Sequence, residues 1–245
     1  MTGLVATALL LVGLAATTGL GVAGAVAGVA YALALAALVR WGLGRLGTTF
    51  GPADWVTLGR AVLTGGVTAL VADAAGGPAP TGLLVGLVAA ALALDWVDGQ
   101  IARRTGTAST FGWWFDMEVD SFLLFVLSVY AAGLYGPWVL LIGGMRYLFG
   151  AAGWALPWMR ATLPPRYWRK VVAAVQGVAL VVAAAGVLPD PLTWFVLLVA
   201  AVLLVESFGR DVLWLWRRRA GVRAEPPYAG PIRNDVSPTT RSAAS

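Results

Sequence analysis

The feature that most limits what this chain can become is a succession of apolar runs, each about as long as a bilayer is thick. Thr2 to about Val39, Ala61 to about Gly76, Thr81 to Arg103, Gly112 to about Gly133, Pro137 to about Met159, Val171 to Val187 and Pro191 to Trp216 are all of this kind. Inside hydrocarbon, backbone N–H and C=O groups must be satisfied within the segment, so such runs are expected to be transmembrane helices. The first run is too long for one span: as a single helix it would extend ~55 Å, nearly twice the hydrocarbon core. The break Thr17-Thr18-Gly19-Leu20-Gly21 divides it in two, and Gly76-Gly77-Pro78-Ala79-Pro80 marks another clear turn. A cleaved signal peptide would start with a basic stretch, which the first run lacks. The expectation is an all-α, polytopic transmembrane bundle of about eight spans.

Charge then sets topology. Only 12% of the residues are charged against 59% hydrophobic, too apolar a balance for a soluble domain of this size. The net charge of +5 does not mark a nucleic-acid binder, because the bases fall in short clusters between apolar runs. Connectors on one side carry Arg40, Arg45, Arg160 and the cluster Arg217-Arg218-Arg219, whereas the opposite connectors carry no base. The positive-inside rule makes the basic side cytoplasmic. The expected location is a bacterial cell (inner) membrane. After Arg219 the composition turns to Pro, Ser, Arg and Ala, so residues 220–245 are expected to form a disordered cytoplasmic tail.

Against that apolar background, the stretch Asp95-Trp96-Val97-Asp98-Gly99 through Asp120 stands out. Asp95 and Asp98 are three apart, and Asp116 and Asp120 four apart, so each pair shares a helix face. The Gly-, Ser- and Thr-containing segment Arg104 to Phe111 reads as a short loop, making a hairpin that aims four carboxylates at one point. A single carboxylate in a membrane costs roughly 2.5–3.5 kcal/mol on insertion scales, and four add mutual repulsion. A positive partner is required, and all-oxygen ligation suits a hard divalent ion such as Mg2+. The chain has no His and no Cys, which removes the usual zinc and copper ligands and any disulfide. Glu118 lies about 200° around the helix from Asp116 and faces away.

The spacing Asp95-x2-Asp98-Gly99-x2-Ala102-Arg103-x8-Gly112-x3-Asp116-x3-Asp120 resembles the full motif of the CDP-alcohol phosphotransferases, with all eight positions present. Gly51-Pro52-Ala53-Asp54-Trp55-Val56-Thr57-Leu58-Gly59-Arg60 is similar to the amphipathic lead-in segment of that family, usually Pro-x-Asn-x-x-Thr-x-x-Arg. Pro52, Thr57 and Arg60 match, and Asp54 replaces Asn. The resemblance implies a six-helix catalytic domain over residues 51–219, with residues 1–50 adding two N-terminal helices and a connector. It implies a Mg2+- or Mn2+-dependent homodimer that transfers a phosphatidyl group from a CDP-diacylglycerol-type donor to an alcohol and releases CMP. Asp95, Asp98, Asp116 and Asp120 would hold two metal ions, Asp120 would also act as general base, and Thr57, Arg60, Gly99, Ala102, Arg103 and Gly112 would bind the CDP-alcohol. Each small residue has a second reading as helix packing.

The acceptor, a small alcohol or a polyol phosphate, is assigned to Arg146, Arg166, Arg169 and Lys170. Arg146 is the base placed mid-span, and an intramembrane arginine needs a partner. That partner is either an acceptor phosphate or Glu206 on the last span. The other three bases also fit topology alone. Glycerophosphate-using members carry Gly-Lys-x-Lys-Thr-x-x-Gln near this place. Aligned on Gln176, this chain keeps Lys170 but has Val172 and Ala173 for the second lysine and the threonine. Two rival classes are an ion-coupled transporter with an acidic intramembrane site and a silent scaffold. The clustering of the carboxylates at one end, beside Arg103, weighs against an ion path.

Overall fold

The computed structural model describes residues 2–46, 50–74, 79–105, 109–164 and 166–219, apart from the side chains of Trp96, Asp98, Gly99 and 101–105. Among these residues there are eight α-helices and no strand: α1 (Thr2–Thr18), α2 (Val22–Leu46), α3 (Pro52–Asp73), α4 (Thr81–Thr105), α5 (Thr110–Tyr135), α6 (Leu140–Ala155), α7 (Tyr167–Ala185) and α8 (Asp190–Arg218). Short 3-10 turns, Pro137–Val139 and Pro157–Arg160, flank α6. Helices α2, α3, α5, α7 and α8 are long and apolar enough to cross a membrane, while α1 and the apolar part of α4 (Thr81–Asp95) are shorter. The all-α membrane bundle expected from the apolar runs is therefore what forms. The tail beyond Arg219 and most of the Gly76–Pro80 turn lie outside the described residues.

Helix ends follow local chemistry. The break in the first apolar run is a turn with Gly19 at φ +66°, a left-handed conformation that glycine adopts without strain. Asp73, at the end of α3, accepts a hydrogen bond from the Gly21 N–H at 2.9 Å and ties this turn to the third helix. The lead-in segment is not a separate interfacial helix: residues 52–60 run straight on into α3. No proline follows Pro52 within that helix, and its start is well made. Pro52 occupies the first position, where no N–H is needed, and Asp54 accepts the Gly51 N–H at 2.7 Å. The loop before α5 is likewise shorter than its composition suggests. Ser109 is a helix cap whose hydroxyl accepts the Gly112 N–H at 2.9 Å, so Thr110 and Phe111 are already helical.

Two apolar cores hold the bundle. The larger joins Leu70, Leu84, Leu127, Leu180 and Leu197 from α3, α4, α5, α7 and α8. The smaller, at the end where α3 and α5 begin, is aromatic: Phe111, Trp114 and Phe115 pack with Leu35 and Ala61. Glycines set the helix spacing between α5 and α6. A Cβ on Gly143 would meet Phe125 Cα at 2.5 Å and the Leu124 carbonyl oxygen at 2.6 Å, both rigid backbone. Close approach through small residues is how membrane helices gain packing without a hydrophobic driving force. The Ser128 hydroxyl reinforces the contact by donating to the Val139 carbonyl at 2.7 Å. Gly143→Ala is expected to lower the thermal unfolding temperature in detergent, since overpacking costs about 1–3 kcal/mol. Gly144→Ala, where a Cβ meets open space, is the control and should leave it unchanged or slightly raised.

Candidate functional site

The hairpin of α4 and α5 brings Asp95, Asp116 and Asp120 together, each able to offer an oxygen within 4.8 Å of the others. Asp116 and Asp120 share one face of α5 through their four-residue spacing. At 1.5 Å per residue, all three lie about 9–15 Å from the hairpin ends of their helices. The carboxylates remain 37–44% exposed, so they line a cleft and are not sealed in a core.

Arg60 enters this cluster from α3. It is 1% exposed, the most buried cation described. One guanidinium nitrogen, Nη1, lies 3.0 Å from Asp95 and also pairs with Asp116, while Nη2 pairs with Asp120. A planar fork suits several carboxylates at once. Three carboxylates and one guanidinium still sum to a charge of −2. The oxygen-only donor set, already arranged around a cation, fits a hard divalent metal. Asp98 falls on the same helix as Asp95, but its side chain, with those of Gly99, Ala102 and Arg103, lies outside the described residues.

The floor of the site is built by the first turns of α3 and α5. Thr57, buried one turn before Arg60, donates to the Ala53 carbonyl at 3.3 Å. The missing side chain of Gly112 has a packing role. A Cβ there would stand 2.6 Å from Asp54 Oδ1 and 3.1 Å from the Ser109 hydroxyl, so its smallness lets α5 close on the buried Asp54. Asp54 thus has a task inside the protein, capping α3 and abutting α5. The aromatic core braces the same end. Phe111 stacks on Phe115 at 5.4 Å between ring centres, and Gly42 of α2 fits where a side chain would collide with Trp114 and Phe111.

The residues assigned to the acceptor do not form one cluster. Arg146 pairs with Glu118 at 2.5 Å, and not with Glu206. Glu206 is engaged nearer home, by an ion pair with Arg210 one turn along α8 and by the Trp168 indole N–H at 3.0 Å. Glu118, pointing away from the aspartates, meets α6 across the close α5–α6 contact. Arg146 and Arg169 line a cavity of about 710 Å³ together with Glu118, Ser121, Gln176 and Asp211. Arg166 lines a separate hollow with Arg210 and Arg217, and Lys170 is exposed along an apolar groove of α7. The lining acids Glu118 and Asp211 were not among the expected site residues. Asp211, 5% exposed on a helix long and apolar enough to span, had the signal of any intramembrane carboxylate.

Two substitutions test this geometry. Gly112→Ala should disturb the Asp54 cap and the α3–α5 contact, lowering thermal stability by about 1 kcal/mol or more. Arg60→Met leaves three carboxylates facing one another. Its thermal stability should therefore fall and become dependent on added Mg2+ or Mn2+, by less than the about 3–5 kcal/mol of a fully buried pair because the carboxylates are partly exposed.

Comparison with known families agrees with this site. The family model for CDP-alcohol phosphatidyltransferase matches residues 50–206, from the start of α3 into α8. No curated protein and no solved structure matches the chain. The matched region covers well over half of the sequence and contains every motif aspartate, so the chain belongs to the CDP-alcohol phosphatidyltransferase family.

Proposed function

We propose that this protein transfers a phosphatidyl group from CDP-diacylglycerol, or a similar CDP-alcohol, to the hydroxyl of a second alcohol. The observation that carries the reading is the meeting of Asp95, Asp116 and Asp120 around Arg60. Asp95, Asp98, Asp116 and Asp120 would hold Mg2+ or Mn2+, as two ions, and the bound metal would supply charge neutralisation for the pyrophosphate and the departing CMP. The protein's own contribution is placement and proton transfer. Arg60 keeps the carboxylates together and, with Arg103, gives the donor pyrophosphate a permanent positive charge. Thr57, Gly99, Ala102 and Gly112 belong to the same donor side, by their motif positions.

Asp120 is the general base. It takes the proton of the acceptor hydroxyl as that oxygen forms a bond to the phosphorus bearing the lipid. The bond from that phosphorus to the bridging oxygen breaks, and CMP departs with the electron pair. The acceptor approaches from the cavity enclosed by α5, α6, α7 and α8. Met117 and Ser121 line that cavity, each following a site aspartate, so its wall lies about 100° around α5 from Asp116 and Asp120. The domain spans residues 51–219, the active face is cytoplasmic in a bacterial inner membrane, and the unit is a homodimer, as the resemblance implies.

Purified protein incubated with CDP-diacylglycerol, Mg2+ and a panel of alcohols should release CMP. Asp120→Asn should reduce that release by about 10²-fold or more, the usual contribution of a general base. Asp116→Asn should abolish it. Full activity in both variants would remove these roles.

A further inference from the structure

We propose that the α5–α8 cavity selects an acceptor alcohol of zero net charge, an unphosphorylated polyol or a zwitterionic hydroxy compound, and rejects its phosphorylated counterpart. The inference rests on the transfer reaction above and names the substrate class of its second site.

The charges that line the cavity cancel. Glu118 and Asp211 stand against Arg146 and Arg169. Each base is also engaged. Arg146 holds Glu118 at 2.5 Å. Arg169 Nε lies 3.5 Å from Asp211, an ion pair without a hydrogen bond, and its Nη2 donates to the Pro164 carbonyl. A phosphate drawing Arg169 away would leave Asp211, 5% exposed, as a buried charge without its closest cation. Arg166, which lines the neighbouring hollow, stands 3.9 Å from the same Asp211 and shares that carboxylate with Arg169, and Lys170 lies on another face of α7.

What the cavity does offer is neutral hydrogen bonding. Gln176 is 5% exposed, lines the cavity, and its amide nitrogen has no hydrogen-bond partner. A buried amide left so is costly unless a ligand satisfies it. Its two N–H groups suit a hydroxyl or carboxylate oxygen, and its carbonyl accepts a hydroxyl proton. Ser121, whose own proton goes to the Met117 carbonyl at 2.7 Å, keeps lone pairs for a second hydroxyl. Discrimination follows as much from the phosphate's unmatched charge as from attraction to the neutral acceptor.

The test uses the full chain in detergent with CDP-diacylglycerol and Mg2+, and acceptors in matched pairs: glycerol and glycerol 3-phosphate, inositol and inositol 1-phosphate, serine and phosphoserine. CMP release should favour an unphosphorylated member by about tenfold or more in kcat/KM, and no phosphorylated one. Gln176→Leu should raise KM for the preferred acceptor while leaving the Mg2+-dependent thermal shift with CDP-diacylglycerol in place. Glu118→Gln, by releasing Arg146, should improve use of the phosphorylated partner. Preference of the unaltered protein for any phosphorylated member, or donor binding with CMP release from none of the six, would overturn this inference and leave the donor site standing. A donor that neither binds nor reacts would overturn both readings.

Discussion

The structure depends on holding three carboxylates together inside a bundle of apolar helices. Three like charges within 4.8 Å repel strongly, and at the effective dielectric of a protein surface each pair at 4 Å is worth about 4 kcal/mol. Arg60 answers that repulsion from a third helix, so the cluster cannot form until α3, α4 and α5 are packed. The electrostatics and the helix packing are thus one constraint. The first three turns of α3 carry Asp54, Thr57 and Arg60, and all three are buried.

Small residues carry the other half of the design. Gly112 brings the first turn of α5 onto Asp54, and Gly143 brings α6 onto α5. The two contacts lie on different sides of α5, and they give it two working faces. One presents Asp116 and Asp120 to Arg60, the other presents Glu118 to Arg146. A single helix therefore joins the aspartate cluster to the large cavity on its other side, and the roughly 200° between the two charged faces keeps their ion pairs from competing.

Much of this was legible in the sequence, for identifiable reasons. Helix existence follows from apolar runs bounded by glycine and proline, and the convergence of the aspartates follows from three- and four-residue spacings. What was not legible depended on contacts between distant segments. Arg60 is matched by position to a donor-binding role, but nothing in its spacing tells that it sits among the carboxylates. Glu118 could be turned away from Asp116 by counting, yet its partner required knowing how α6 packs. For Arg146 the sequence leaves two partners open, an acceptor phosphate or Glu206, and does not show that the i,i+4 neighbour Arg210 takes Glu206. The resemblance gives Gly112 a place on the donor side, and only the fold shows that Asp54 packs against it.

The N-terminal pair of helices lies outside the matched family region, yet it is not loosely attached. The Tyr31 hydroxyl of α2 donates to the carbonyl of Ala61, the residue after Arg60, at 2.8 Å, and its ring meets Phe122 of α5. The backbone beside the buried arginine is thus anchored in part by a helix that the family region does not include, so the appendage and the carboxylate cluster share one wall.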